Sequence, residues 1–72
     1  MNIYYRTKQC LLDPKMWLAW AAREPLTSHD PLKEKANVEF MVQRPTEQGA
    51  IEELAHQARD RYPGCIMMRV KT

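Results

Sequence analysis

"RPTEQGAIEELAHQARDRYPGCIMMRV", residues 44–70, reads as the end of a strand, a helix, a tight turn and a further strand. Thr46 brings a hydroxyl that can accept a first-turn N–H, and Ala50, Ile51, Leu54, Ala55, Ala58 and Tyr62 follow at helical spacing as one apolar stripe. Glu47, Glu52 and Glu53 stand in the first half of this helix and Arg59 and Arg61 near its end, the charge order a helix dipole favours. Pro63 and Gly64 stop it, and Cys65 to Lys71 form the last strand, whose inner face we assign to Ile66, Met68 and Val70.

Immediately upstream, Val38, Phe40 and Val42 alternate with Glu39, Met41 and Gln43, the period-two pattern of a strand with one buried face. Two strands joined through a helix by short connections form a crossover and run parallel. Ile3 to Lys8 is rich in β-formers and supplies a strand that slots between them, antiparallel to both. Asp13 as N-cap and Pro14 at the first helical position predict another helix, carrying a stripe of Met16, Trp17, Trp20 and Ala21 and ended by Pro25. Trp17 and Trp20 are then expected in the core, with a place at its rim left open for one of them, since tryptophan is enriched at interfaces as well.

Residues 25–37, "PLTSHDPLKEKAN", fit a single helical turn through Leu32 capped by Asp30, a polar loop or a short edge strand. The expected fold is α+β: a three-stranded, mainly antiparallel sheet of the split strand-helix-strand kind, with two helices packed on one face. Residues 1–72 make a single compact domain.

A chain of 72 residues buries only about 60% of the surface its unfolded form exposes, which leaves little room for a deep catalytic cleft. Eleven basic against nine acidic side chains give a formal charge of +2, too small to point to a nucleic-acid binder by composition. Cys10 and Cys65 form no framework of paired cysteines, so reduced thiols are expected. No apolar run reaches the roughly 18 residues of a membrane span, and "MNIYYRTKQC" has no secretory leader pattern. These features predict a soluble, cytoplasmic protein.

Cys10, His29, His56 and Cys65 are the soft ligands, and no close pair among them could build half of a zinc tetrahedron. His29 beside Asp30 is a suggestive couple, but Asp30 is accounted for as a cap; Glu52 and Glu53 are helix neighbours whose carboxylates diverge. There is no phosphate-cradling glycine loop and no nucleophile elbow, since Gly49 and Gly64 are isolated. We therefore expect no catalytic residue, metal or cofactor, and no enzyme.

With the helices on one face, the other face of the expected sheet exposes Tyr4, Arg6, Lys8, Glu39, Met41, Gln43, Met67, Arg69 and Lys71. Basic groups mixed with an aromatic ring and methionines are the composition of adaptable binding surfaces, and also of many half-solvated antiparallel sheets. Tyr4, Arg6, Lys8, Met41, Met67, Arg69 and Lys71 are the candidate partner-binding residues.

"NVEFMVQRPTEQGAIEELAHQARDRYPGCIMMRVKT", residues 37–72, resembles the strand, Thr-capped helix, Tyr-turn-Gly and basic strand of small bacteriophage proteins that inhibit host machinery. The phage inhibitor of bacterial RNA polymerase and small anti-CRISPR proteins share this layout. The resemblance covers about half of the chain and is carried by Thr46, the stripe from Ala50 to Ala58, Tyr62, Gly64, Arg69 and Val70; the first half has no counterpart. It implies a phage- or mobile-element-encoded inhibitor or adaptor that blocks a host nucleic-acid-processing complex by occupying a surface. The alternative is an RNA or single-stranded nucleic-acid module, with Tyr4 and Tyr5 stacking on bases and Arg6, Lys8, Arg69 and Lys71 meeting phosphates. A homodimer is a third reading.

Overall fold

The computed structural model describes residues 1–70. Four strands and one α-helix follow in the order β1 (Asn2–Gln9), β2 (Trp17–Ala22), β3 (Val38–Arg44), α1 (Glu47–Arg61) and β4 (Ile66–Arg69). They form an α+β fold with one mixed sheet in the order β3-β2-β1-β4.

The expected first helix is instead β2, and this is the main correction to the fold. Asp13 does cap something, but it is a turn: its carbonyl accepts from Met16 N–H at 2.9 Å and its carboxylate from Lys15 N–H at 3.1 Å. Cys10 N–H then donates to the Met16 carbonyl and closes the β1–β2 hairpin. The strand that follows, "WLAWAA", is buried on both faces, with Ala19, Trp20, Ala21 and Ala22 fully enclosed. A strand covered on both sides needs no polar alternation, so its sequence is a continuous apolar run that helical spacing also fits. Trp17 and Trp20 accordingly point to opposite faces rather than along one stripe.

β3 and β4 lie at the two edges and run in the same direction, as their crossover through α1 requires. The antiparallel β1–β2 hairpin fills the space between them. With two antiparallel strands inside two parallel edges, one junction must be parallel, and it is β1–β4. The expectation that strand one runs antiparallel to both neighbours fails for this reason.

Helix α1 follows the sequence reading closely. The Thr46 hydroxyl accepts from Gly49 N–H at 2.9 Å, and a Cβ at Gly49 would approach that oxygen to 2.8 Å, so the cap and the glycine fit together. At the other end Gly64 takes φ 79°, the left-handed conformation that turns the chain into β4. Ala50, Leu54 and Ala58 pack on Ile3, Ala19, Ala21, Phe40, Val42 and Cys65, and the alanines let helix and sheet approach closely.

The opposite face of the sheet is also covered in part. Residues 23–37 cross it as a strap in which Leu26 and Ala36 bury Trp20 and Ala22, flanked by Tyr4, Leu18, Val38 and Val70. Of the three readings open for this segment, the single helical turn is the one formed: Pro31–Lys33 is a 3-10 turn with Asp30 as its cap. The strap is held by Glu34, whose carboxylate accepts from the N–H groups of Thr27, Ser28 and Ala36 and from the Thr27 hydroxyl at 2.6 Å. Burial pushes the Glu34 carboxyl up, but these bonds outweigh it and bring its pKa down to about 2.

No helix among the described residues is long and apolar enough to cross a membrane.

Candidate functional site

Tyr4, Arg6, Lys8 and Met41 do share the face away from α1, set there by strand alternation and by the Arg6–Trp20 and Trp20–Met41 pairings. Tyr4 packs against the apolar cluster beneath the strap, and Met41 remains half exposed.

Met67 and Arg69 lie on the α1 side, contrary to the expected face. Parallel pairing sets Met67 beside Ile3 and Arg69 beside Tyr5, both of which point toward the helix, and leaves Ile66 and Met68 exposed on the far side. Alternation in "IMMRV" favours Ile66, Met68 and Val70 as the inner face, and pairing with Ile3 and Tyr5 overrides it; Val70 joins the cluster beneath the strap. The Arg69 guanidinium donates to Glu47 at 2.9 Å and to the Thr7 hydroxyl at 3.1 Å, while Thr7 donates to Glu47 at 2.7 Å. The bond from Thr7 holds the Glu47 carboxyl below its usual range, against its burial and with help from Arg69. This triad ties the start of α1 to β1 and β4. Lys71 lies outside the described residues.

Glu39 also leaves the expected face. A bulge between Ala21 and Ala22 lets Val38 take the place opposite Ala22. The Glu39 carboxylate, 7% exposed, accepts from the Tyr62 hydroxyl and from Arg23 Nε. The Tyr62 bond lowers the Glu39 pKa, burial opposes it and Arg23 and Arg61 add to it; the same bond raises the Tyr62 pKa. The cluster fastens the end of α1 to β3.

Two clefts beside the strap share Lys8. The first, of about 410 Å³, is lined by Arg6, Thr7, Lys8, Trp20, His29, Arg69 and Val70. Arg6 Nε, Arg6 Nη1 and Trp20 Nε1 are shielded from solvent and have no acceptor among the described residues. Such a donor left unmade costs about 1–3 kcal/mol, and more when charged. All three orphaned atoms are donors, and no carboxylate lines the cleft.

The second cleft, also about 410 Å³, is an apolar groove between the hairpin loop and the 3-10 turn, floored by Leu18 and Met41. Leu11, Leu12 and Leu32 flank it at 86%, 98% and 92% exposure. Lys8 and Asp30 stand at its margins. Sequence reasoning missed this groove because Leu11 and Leu12 preceded a supposed helix and Leu32 lay in a segment with three readings open. The available signal was two consecutive leucines directly before a turn-forming Asp-Pro.

Among the described residues no group of three or more His, Cys, Asp or Glu could hold a metal ion. Cys10 lines the apolar groove and Cys65 belongs to the core. His56 is exposed on the flank of α1. Compared with protein families, curated proteins and solved structures, the chain matches none.

Proposed function

We propose that this chain is a small, non-enzymatic protein-binding inhibitor or adaptor that docks on its partner through the Leu11–Leu12–Leu32 groove. The observation that carries the reading is the convergence of three almost fully exposed leucines from two loops on one groove. A lone exposed leucine is ordinary, but several gathered around a concavity make a patch that a partner can bury. Fully burying a leucine is worth about 1.5–3 kcal/mol, so three supply a central anchor of the kind that dominates interfaces.

The occupant is an apolar ridge of a partner protein, oriented by Lys8 and Asp30 beside the groove. The partner class, a nucleic-acid-processing complex of a bacterial host, is supported by the resemblance of residues 37–72 to phage inhibitors. The candidate residues Lys8 and Met41 belong to this surface, while Arg6 belongs to the neighbouring cleft.

The test is capture from a nuclease-treated bacterial lysate with the wild-type chain and with a Leu12→Asp, Leu32→Asp double variant whose circular dichroism is unchanged. A stoichiometric protein complex on wild type and not on the variant is expected, followed by reconstitution with the purified complex. Equal capture by the variant, or a ligand that disappears with nuclease, contradicts the proposal. A dimer seen in sedimentation at two concentrations and abolished by the same substitutions would replace the foreign partner by a second copy.

A further inference from the structure

We infer that the first cleft is an oxyanion site that takes the oxygens of a carboxylate or a phosphate. Arg6 and Trp20 face each other across β1 and β2, and both line the cleft. A guanidinium holds its N–H donors rigidly in one plane and stays charged, which suits it to the oxygens of an anion. Arg6 Nε and Nη1 donate along different edges of the guanidinium, and neither meets an acceptor among the described residues, nor does Trp20 Nε1, whose residue is fully buried.

The setting separates this arginine from the others that reach carboxylates. Arg23, Arg44, Arg61 and Arg69 each lie in an ion pair with Glu39, Glu53, Glu39 and Glu47 respectively. Arg6 does not pair with an acidic side chain among the described residues. Lys8 and His29 add cationic or donor groups to the lining, and the nearby Asp30 carboxylate accepts from Leu32 N–H instead. An anion entering the cleft thus meets donors already held in place and partly withdrawn from water, where charge-assisted bonds count for more.

The inference stands independently of the leucine groove, because it rests on Arg6 and Trp20, which do not line that groove, and a small probe tests it. The measurement is a titration of the nitrogen-labelled chain with inorganic phosphate and, separately, with acetate at constant ionic strength and pH. The indole N–H signals of Trp20 and Trp17 and the Nε–H signal of Arg6 are followed. A saturable shift of Trp20 and Arg6, with Trp17 still, is expected for at least one anion. The stronger response assigns the site to phosphate or to carboxylate. Arg6→Lys, which keeps the charge and removes the planar set of N–H donors, should reduce the affinity at least several-fold while the backbone spectrum stays folded. No saturable shift with either anion overturns the inference, as does an equal shift of both indoles or an unchanged affinity in Arg6→Lys.

Discussion

Arg6 and Trp20 are cross-strand partners on the face of the sheet opposite α1, and the strap closes over the tryptophan from the other side. Trp17, on the same strand but in the other phase, packs half-buried against the helix-side core. This division is a consequence of β2 being a strand, since strand alternation sends the two rings to different layers while a helix would have aligned them.

Fluorescence quenching reads that division directly. Trp17→Phe, which leaves only Trp20 emitting, should give a blue-shifted spectrum resistant to acrylamide. Trp20→Phe should leave a redder, more readily quenched Trp17. Equal quenching of the two variants would contradict the layered placement.

Ala21 lies between Tyr5 and Phe40 in the ladder and has no exposed surface beneath α1. Ala21→Leu inserts volume where helix and sheet already touch, and should cost about 1–3 kcal/mol in urea unfolding. A neutral result would contradict the close contact between helix and sheet at this position.

Glu34 makes the strap pH-sensitive. Burial opposes ionisation, but the Thr27 hydroxyl and the N–H groups of Ala36, Thr27 and Ser28 prevail, holding the folded carboxyl near 2 against its usual 4.5. A carboxyl lowered in the folded state contributes stability that is complete above 4.5 and is lost as pH falls through the folded value near 2. The melting temperature of wild type should therefore exceed that of Glu34→Gln at neutral pH, and the gap should close across this acid window. A gap independent of pH would mean that the carboxylate is not what organises residues 26–36.

Residues 40–64 were legible because each local signal agreed with the next: alternation in β3 after the bulge that turns Val38 and Glu39 to the opposite faces, the Thr46 cap, the alanine stripe and the Pro63–Gly64 stop all served one outcome. Residues 13–24 were not, because Asp13 and Pro14 are good at starting either a turn or a helix and because alanine at 19, 21 and 22 favours helices until tertiary packing encloses it. That one substitution of strand for helix altered the sheet order and made one of its junctions parallel. The face of β4 was illegible for a different reason, since alternation favours Ile66, Met68 and Val70 and pairing with Ile3 and Tyr5 overrides it. Arg6 and Lys8 were placed correctly, but the orphaned donors around Arg6 and the leucine groove depend on contacts between distant loops that no local pattern carries.

We propose the groove between the hairpin loop and the 3-10 turn as the docking surface. Hydrogen–deuterium exchange of the chain, free and in complex with the partner it captures, tests this most directly. Added protection concentrated at residues 10–12 and 30–33 is expected. Protection confined to the exposed edge of β4 or the outer face of α1, with both loops unchanged, would contradict it.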